Sequence, residues 1–232
     1  MMQIGGLQKI TLIDFPGRLA ATVFLTGCNF RCSFCYASEL VLSEKIKDQP
    51  KISQTELFRF LKEREKLIEG VVLCGGEPTA SKDLSSLIKK IKKMGFLVKL
   101  DTNGSDPKTL KKLIDEKLVD YVAMDLKAPK EKYNKVIGAK VDVKDIQKSI
   151  DILKEGKVDY EFRSTIVPTL HTKEDVLEMA RWINGAKRYY LQNFRPEKTI
   201  DPKFEKIKPY PQEFLLEIQK LIVPFFEVCQ VR

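Results

Sequence analysis

Short apolar runs alternate along the chain with stretches whose apolar residues recur every three to four positions. Residues 19–26 form an apolar, β-branched run that reads as a buried strand. Asp14-Phe15-Pro16-Gly17 before it reads as a turn, so residues 9–13 are expected to form a hairpin arm against that strand. Ser53-Gln54-Thr55-Glu56 is a capping box, and the helix it opens carries Leu57, Phe60, Leu61, Arg64, Leu67 and Ile68 as one stripe. Gly70 closes it, and residues 71–74 form the next strand. The unit recurs. Helices are expected at 81–94, 106–117, 142–155, 172–184 and 211–223, with Pro107 in the first helical position after Asp106. Strands are expected at 96–100, 119–126, 160–167 and 188–192. Six strands alternating with helices predict an α/β fold, with a parallel sheet and helical crossovers in a single domain over residues 1–232.

In folds of this kind the active site lies at the carboxyl ends of the strands. Residues 27–35, Gly75-Gly76-Glu77-Pro78, Asp101-Thr102-Asn103-Gly104, Asp125-Leu126-Lys127, Arg163 and Gln192-Asn193-Phe194 fall there. Polar and reactive residues thus collect at one rim. Asp125 and Lys127 share a strand face, so they also suit each other as an ion pair.

The 232 residues carry a net charge of +9, 43% hydrophobic and 31% charged residues, which excludes a disordered or collagen-like chain. The basic clusters at 89–93 and 111–112 sit on helices and read as solvated faces, so no nucleic-acid partner is expected. The longest apolar runs, 19–28 and 221–229, are about half of a membrane span. With no signal-peptide pattern at the N-terminus, a cytoplasmic protein without membrane contact is expected.

Cys28, Cys32 and Cys35 have C-x₃-C-x₂-C spacing. Soft thiolates suit zinc or an iron–sulfur cluster. Three on one loop can hold three irons of a cubane and leave the fourth iron open, whereas structural zinc wants a fourth protein ligand. Cys74, Cys229 and His171 are each isolated in sequence. The two cysteines read as small buried apolar residues, and His171 as a surface residue in a turn. A zinc-stabilised RNA-binding module lacks that fourth ligand and any aromatic–basic interleaving. No phosphate-binding loop occurs.

The cysteine triplet at the first strand end, with Gly75-Gly76-Glu77-Pro78 at the second, resembles the radical S-adenosylmethionine enzymes. Residues 12–17 (Leu12-Ile13-Asp14-Phe15-Pro16-Gly17) and 24–32 (Phe24 to Cys32) are similar to those of anaerobic ribonucleoside-triphosphate reductase activating proteins. So are Asp101-Thr102-Asn103-Gly104, residues 124–129 (Met124 to Pro129) and 161–165 (Glu161 to Thr165). The resemblance covers nearly the whole chain. It implies a partial (β/α)₆ TIM-type barrel and a [4Fe–4S] cluster on Cys28, Cys32 and Cys35, whose open iron S-adenosylmethionine would chelate. Gly75, Gly76, Glu77 and Pro78 would serve the methionyl amine. Asp101, Thr102, Asn103, Asp125, Lys127 and Arg163 would contact the cofactor, with Leu191, Gln192 and Phe194 near its adenine. A monovalent cation at Asp101, Thr102 and Asp125 is also implied. The implied activity is reductive cleavage of S-adenosylmethionine to a 5′-deoxyadenosyl radical that makes a glycyl radical on a partner enzyme, with flavodoxin or ferredoxin as electron donor. A radical enzyme acting on a small molecule, such as a modified-purine synthase, and an activase of another glycyl-radical enzyme are the alternatives. Residues 195–211 would close over peptide or ligand. Many relatives follow the third cysteine with His-Asn, and here Tyr36-Ala37 stand instead.

Overall fold

A computed structural model describes residues 3–49 and 51–232. Eight strands lie in one sheet in sequential order: β1 (Ile4–Thr11), β2 (Ala20–Leu25), β3 (Gly70–Gly75), β4 (Leu97–Thr102), β5 (Tyr121–Asp125), β6 (Asp159–Ile166), β7 (Arg188–Asn193) and β8 (Val228–Val231). The six expected strands are β2 to β7. All neighbouring pairs from β2 to β8 are parallel, and β1 alone is antiparallel, against β2. The helices are α1 (Ser38–Val41), α2 (Ser43–Ile46), α3 (Gln54–Glu63), α4 (Leu84–Lys93), α5 (Pro107–Asp115), α6 (Tyr133–Ile137), α7 (Val143–Lys154), α8 (Lys173–Trp182) and α9 (Gln212–Ile222). This is an α/β fold with a partial TIM-type barrel.

Local chemistry places the helices. Ser53 Oγ accepts from Glu56 N, and Glu56 returns a carboxylate to Ser53 N at 2.8 Å, completing the expected capping box of α3. Asp106 caps α5 through Thr109 N at 2.9 Å, with Pro107 following. Lys89, Lys92 and Lys111 on α4 and α5 pair with Glu116, Asp120 and Asp115, as a solvated basic face should.

Strand alternation divides the sheet's two faces. Ala21, Val23, Leu25, Val71, Leu73, Val98, Leu100, Val122, Met124 and Phe162 are 0–1% exposed and form the main core beneath the helices. The residues between them face the barrel interior, and many are polar: Thr22, Lys99, Asp101, Asp125, Glu161 and Arg163. Below the rim, Tyr121 Oη donates to Glu161 Oε2 at 2.8 Å, and Arg232 lies 3.3 Å from Glu161 while covering the Tyr190 ring.

Two strands depart from the sequence reading, and the short helices α1, α2 and α6 were not expected either. The hairpin arm was expected at residues 9–13. It runs Ile4–Thr11 instead, and Leu12 and Ile13 stand in the turn at 78% and 83% exposed. The strand β8 was not expected; it pairs Val228–Val231, which begin in the apolar C-terminal run and extend past it, onto β7.

Candidate active site

The segment between β2 and α1 carries the three cysteines. Phe30 and Phe34, 2% and 5% exposed, anchor it in the core. Arg31 fastens it twice: its backbone N donates to Ile137 O at 2.8 Å, and its guanidinium to Cys28 O and Phe30 O at 2.6 and 2.7 Å. Residues beyond β7 lace it from the other end, with Ile200 N donating to Cys35 O and Asp201 N to Ser33 O, both at 3.0 Å. This is how residues 195–211 meet the site, and Arg195 and Ile200 border its cavity. All five cysteines are free thiols. Burial pushes Cys28 up to about 11 and Cys32 to about 12, and raises Cys35 as well.

The strand end at Gly75-Gly76 touches this loop directly. A Cβ on Gly75 (φ +114°) would lie 2.4 Å from Leu25 O, and one on Gly76 would lie 2.0 Å from Gly27 O. Glycine is therefore required for two backbones to meet. Glu77 pins the neighbouring strand ends. It is 3% exposed, and its Oε1 accepts from Thr79 N, Thr79 Oγ1 and Thr102 Oγ1 at 3.1, 2.6 and 2.7 Å. Its Oε2 accepts from Asn103 N at 2.6 Å. Burial raises the Glu77 pKa against the pull of these donors. Pro78 is buried at the start of the turn Pro78–Ala80 and does not border the cavity. The Asn103 side chain donates to Asn29 Oδ1 at 2.9 Å, tying the cysteine loop to β4.

Across β4, β5 and β6 the rim is a chain of alternating charge. Lys99 pairs with Asp101 Oδ1. Arg163 bridges Asp101 Oδ2 at 2.9 Å and Asp125 Oδ1 at 3.0 Å, and Lys127 holds Asp125 Oδ2 at 3.0 Å. Three cations face two carboxylates. Burial works against the Asp125 charge, yet Arg163 and Lys127 outweigh it and hold the carboxyl at about 2. Burial likewise opposes Lys127 and Arg163, and their carboxylates raise both pKa values regardless. Lys127 and Arg163 both border the cavity, where cations suit a carboxylate.

These groups surround one cavity of about 700 Å³. Cys28, Cys32, Cys35, Gly75, Gly76, Glu77, Asp101, Thr102, Asn103, Asp125, Lys127, Arg163 and Gln192 all border it. Leu191 and Phe194 do not; they are 0% and 2% exposed in the core, Phe194 against Phe204. Asp14 and Gln8 extend the cavity toward the β1–β2 turn. Lys99, 1% exposed, was missed by sequence reasoning. Its inward position in the alternation of β4 was the available signal.

Cys74 packs against Phe15, Ala20, Val72 and Tyr121 as a small apolar residue should, but it also borders the cavity, and burial pushes its thiol up to about 12. One further expectation is corrected. His171 is not at the surface. It is 1% exposed, its Nδ1 accepts from Val167 N at 3.0 Å, and its Nε2 lies 2.8 Å from Lys127 O. The bond at Nδ1 fixes the proton on Nε2, which donates to Lys127 O. Burial lowers its pKa.

The Radical SAM superfamily matches residues 22–183, the stretch that holds both the cysteine loop and the charged rim. The chain belongs to this superfamily. A provisionally named glycyl-radical enzyme activating enzyme of Methanocaldococcus jannaschii is 32% identical over 99% of this chain and 95% of its own length. The pyruvate formate-lyase-activating enzyme of Clostridium pasteurianum is 27% identical over 89% of this chain. A provisionally named GTP 3′,8-cyclase of Thermococcus kodakarensis is 25% identical over 78% of this chain and 63% of its own length. Among solved structures, Streptococcus suis SuiB shares the fold (TM-score 0.67, 15% identity), and the chain, 88% covered, spans about half of SuiB, 47%.

Radical SAM membership implies a [4Fe–4S] cluster and S-adenosylmethionine, and the donor set of this chain fits both. Among the described residues no three His, Cys, Asp or Glu side chains gather to hold a single metal ion. A cubane instead spreads its thiolates over separate iron corners, as three thiols around one cavity can do. Cys28, Cys32 and Cys35 would hold the cluster, and the cationic rim at Lys127 and Arg163 would face the methionyl carboxylate. No helix among the described residues is long and apolar enough to cross a membrane.

Proposed function

We propose that this radical SAM protein generates a glycyl radical on a partner enzyme, and that the partner is an anaerobic ribonucleoside-triphosphate reductase. The observation that carries the reading is the course of the cavity. It runs from the cysteines to Asp14, in the turn that also displays Leu12 and Ile13, with Ile10 on the adjoining strand 53% exposed. Three large exposed apolar side chains on the segment that borders the cavity through Gln8 and Asp14 suit a protein partner better than a small substrate. The near full-length likeness to a relative named as an activating enzyme supports the same reading, whereas the cyclase relative is matched over 63% of its length.

When bound, the cluster and S-adenosylmethionine supply one-electron reductive cleavage of the sulfonium. The chain's own residues bind and orient. Lys127 and Arg163 offer cations to a carboxylate, Gln192 offers an amide, and Glu77 holds the strand ends that frame the cysteine loop. No side-chain general base is needed, in keeping with a single histidine that is buried and doubly bonded. A monovalent cation at Asp101, Thr102 and Asp125 would share carboxylates that Arg163 already bridges, and activity with and without potassium reads whether it joins them.

The test is anaerobic iron reconstitution followed by electron paramagnetic resonance of the reduced protein with and without S-adenosylmethionine. The reading expects a cluster signal altered by the cofactor, 5′-deoxyadenosine as product, and a glycyl-radical doublet on an added anaerobic ribonucleotide reductase. Turnover of a purine nucleotide without that doublet would favour the small-molecule alternative. Tightly bound zinc without an iron signal would sink the radical reading.

A further inference from the structure

We infer that the outer face of the cysteine loop, formed by Arg31, Lys135 and Lys140, docks an acidic one-electron-carrier protein. The inference deepens the function proposed above by locating where the electron enters.

In the function proposed above the cavity side of the loop serves cofactor and partner, which leaves its opposite side for the electron to enter. That side is α6 and the turn after it. Arg31 N donates to Ile137 O at 2.8 Å, and a Cβ on Gly138 (φ +59°) would lie 2.5 Å from Arg31 O. The two backbones touch here, and both Arg31 and Gly138 are exposed, so the loop reaches the surface at this contact. Asn134 exchanges two hydrogen bonds with the Val141 backbone, at 3.2 and 3.0 Å, which folds the turn bearing Lys140 back onto α6.

The charge of this face is one-sided. Residues 127–144 include six lysines against Glu131 and Asp142. Lys127 is spent on Asp125 in the cavity and Lys132 on Asp175. Arg31, Lys135 and Lys140 are exposed, and the two lysines have no carboxylate partner among the described residues. On α4 and α5, Lys89, Lys92, Lys111 and Lys112 are paired with carboxylates, while exposed Lys93 and Lys108 have no such partner among the described residues, so Lys93 serves as the comparison cation. A cationic patch where α6 touches the loop steers an acidic carrier and orients its reduced group toward the cysteines. The step would move one electron: the carrier's reduced flavin or iron–sulfur group would be oxidised and the cluster that Cys28, Cys32 and Cys35 would hold reduced, with no bond formed or broken.

The test uses the reconstituted full chain and photoreduced flavodoxin as probe, following loss of cluster absorbance by stopped flow. Wild-type reduction should slow as salt rises from about 0.05 to about 0.3 M. Lys135→Glu/Lys140→Glu should slow it about tenfold at low salt and flatten the salt dependence. Lys89→Glu/Lys93→Glu on α4 should match wild type, and dithionite should reduce all three proteins alike. Equal flavodoxin rates for the two double variants, a salt-independent wild type, or a dithionite defect in Lys135→Glu/Lys140→Glu would each overturn the docking face. Dithionite-driven 5′-deoxyadenosine formation reads the radical chemistry separately, so failure of the proposed function is distinguishable from failure of the docking face.

Discussion

Replacing Glu77 by glutamine tests how the rim of the cavity is held together. The carboxylate accepts from four donors, three at Oε1 and Asn103 N at Oε2. Glutamine offers one acceptor oxygen and two N–H donors. Its least damaging orientation keeps the oxygen at the Oε1 position and turns the amide nitrogen toward Asn103 N–H, donor against donor. That change removes one charge-assisted hydrogen bond, worth roughly 1.5–3 kcal/mol, and reduces the other three to neutral strength. In the other direction, the amide escapes the desolvation penalty that raises the Glu77 pKa. The net expectation is a loss of about 2 kcal/mol. For a chain of this size, that lowers Tm by roughly 4–8 °C. Calorimetry of the iron-free protein near neutral pH measures it without any contribution from cluster loss. A Tm within about 1 °C of wild type would refute the argument, because a buried pin of four bonds cannot be weakened without cost.

Other expectations follow from the same geometry. Gly76→Ala forces a Cβ into Gly27 O and should cost about 3 kcal/mol, with a matching fall in iron bound after reconstitution. His171→Ala strands Val167 N–H and Lys127 C=O in the interior and should cost about 3 kcal/mol by thermal unfolding, while weakening S-adenosylmethionine binding in calorimetry. In the intact protein the His171 imidazole should stay neutral below its ordinary 6.5, which NMR of its ring nitrogens reads directly. Asp125 has a folded pKa of about 2 against an ordinary 3.8, so its contribution is complete above the unfolded value and is lost as pH falls toward 2. That step is worth about 2 kcal/mol, and Asp125→Asn should remove it from the acid limb of a stability-versus-pH curve.

Much of this arrangement was legible because local signals agreed with one another. The capping box at Ser53, Pro107 after Asp106, and the apolar runs of β2 and β3 placed elements whose ends then collected the cysteines, Gly75-Gly76 and the charged residues. What escaped lacked a local signal. In β1, Gly5 and Gly6 interrupt the apolar alternation, so only its far end was readable. The four residues of β8 follow Pro224 and Glu227 and are too short for a period to show. Burial of His171 depends on Val167 and Lys127, the second of them 44 residues away, and nothing beside it in sequence marks the contact. Lys99 is the exception: the alternation of β4 puts it on the face of Asp101, yet it reads as an ordinary strand lysine until the barrel interior is brought around it.

The lacing of Ile200 and Asp201 onto Ser33 and Cys35 joins segments made at very different times. On a ribosome the three thiols emerge early, while their lace follows some 165 residues later, roughly 10–30 s at ordinary elongation rates. During that interval Cys28, Cys32 and Cys35 belong to an unfinished chain, open to oxygen and to stray metal. A cluster on these thiols would be held by its full setting only after synthesis, and a nascent chain halted before residue 200 presents Ser33 and Cys35 without their lace.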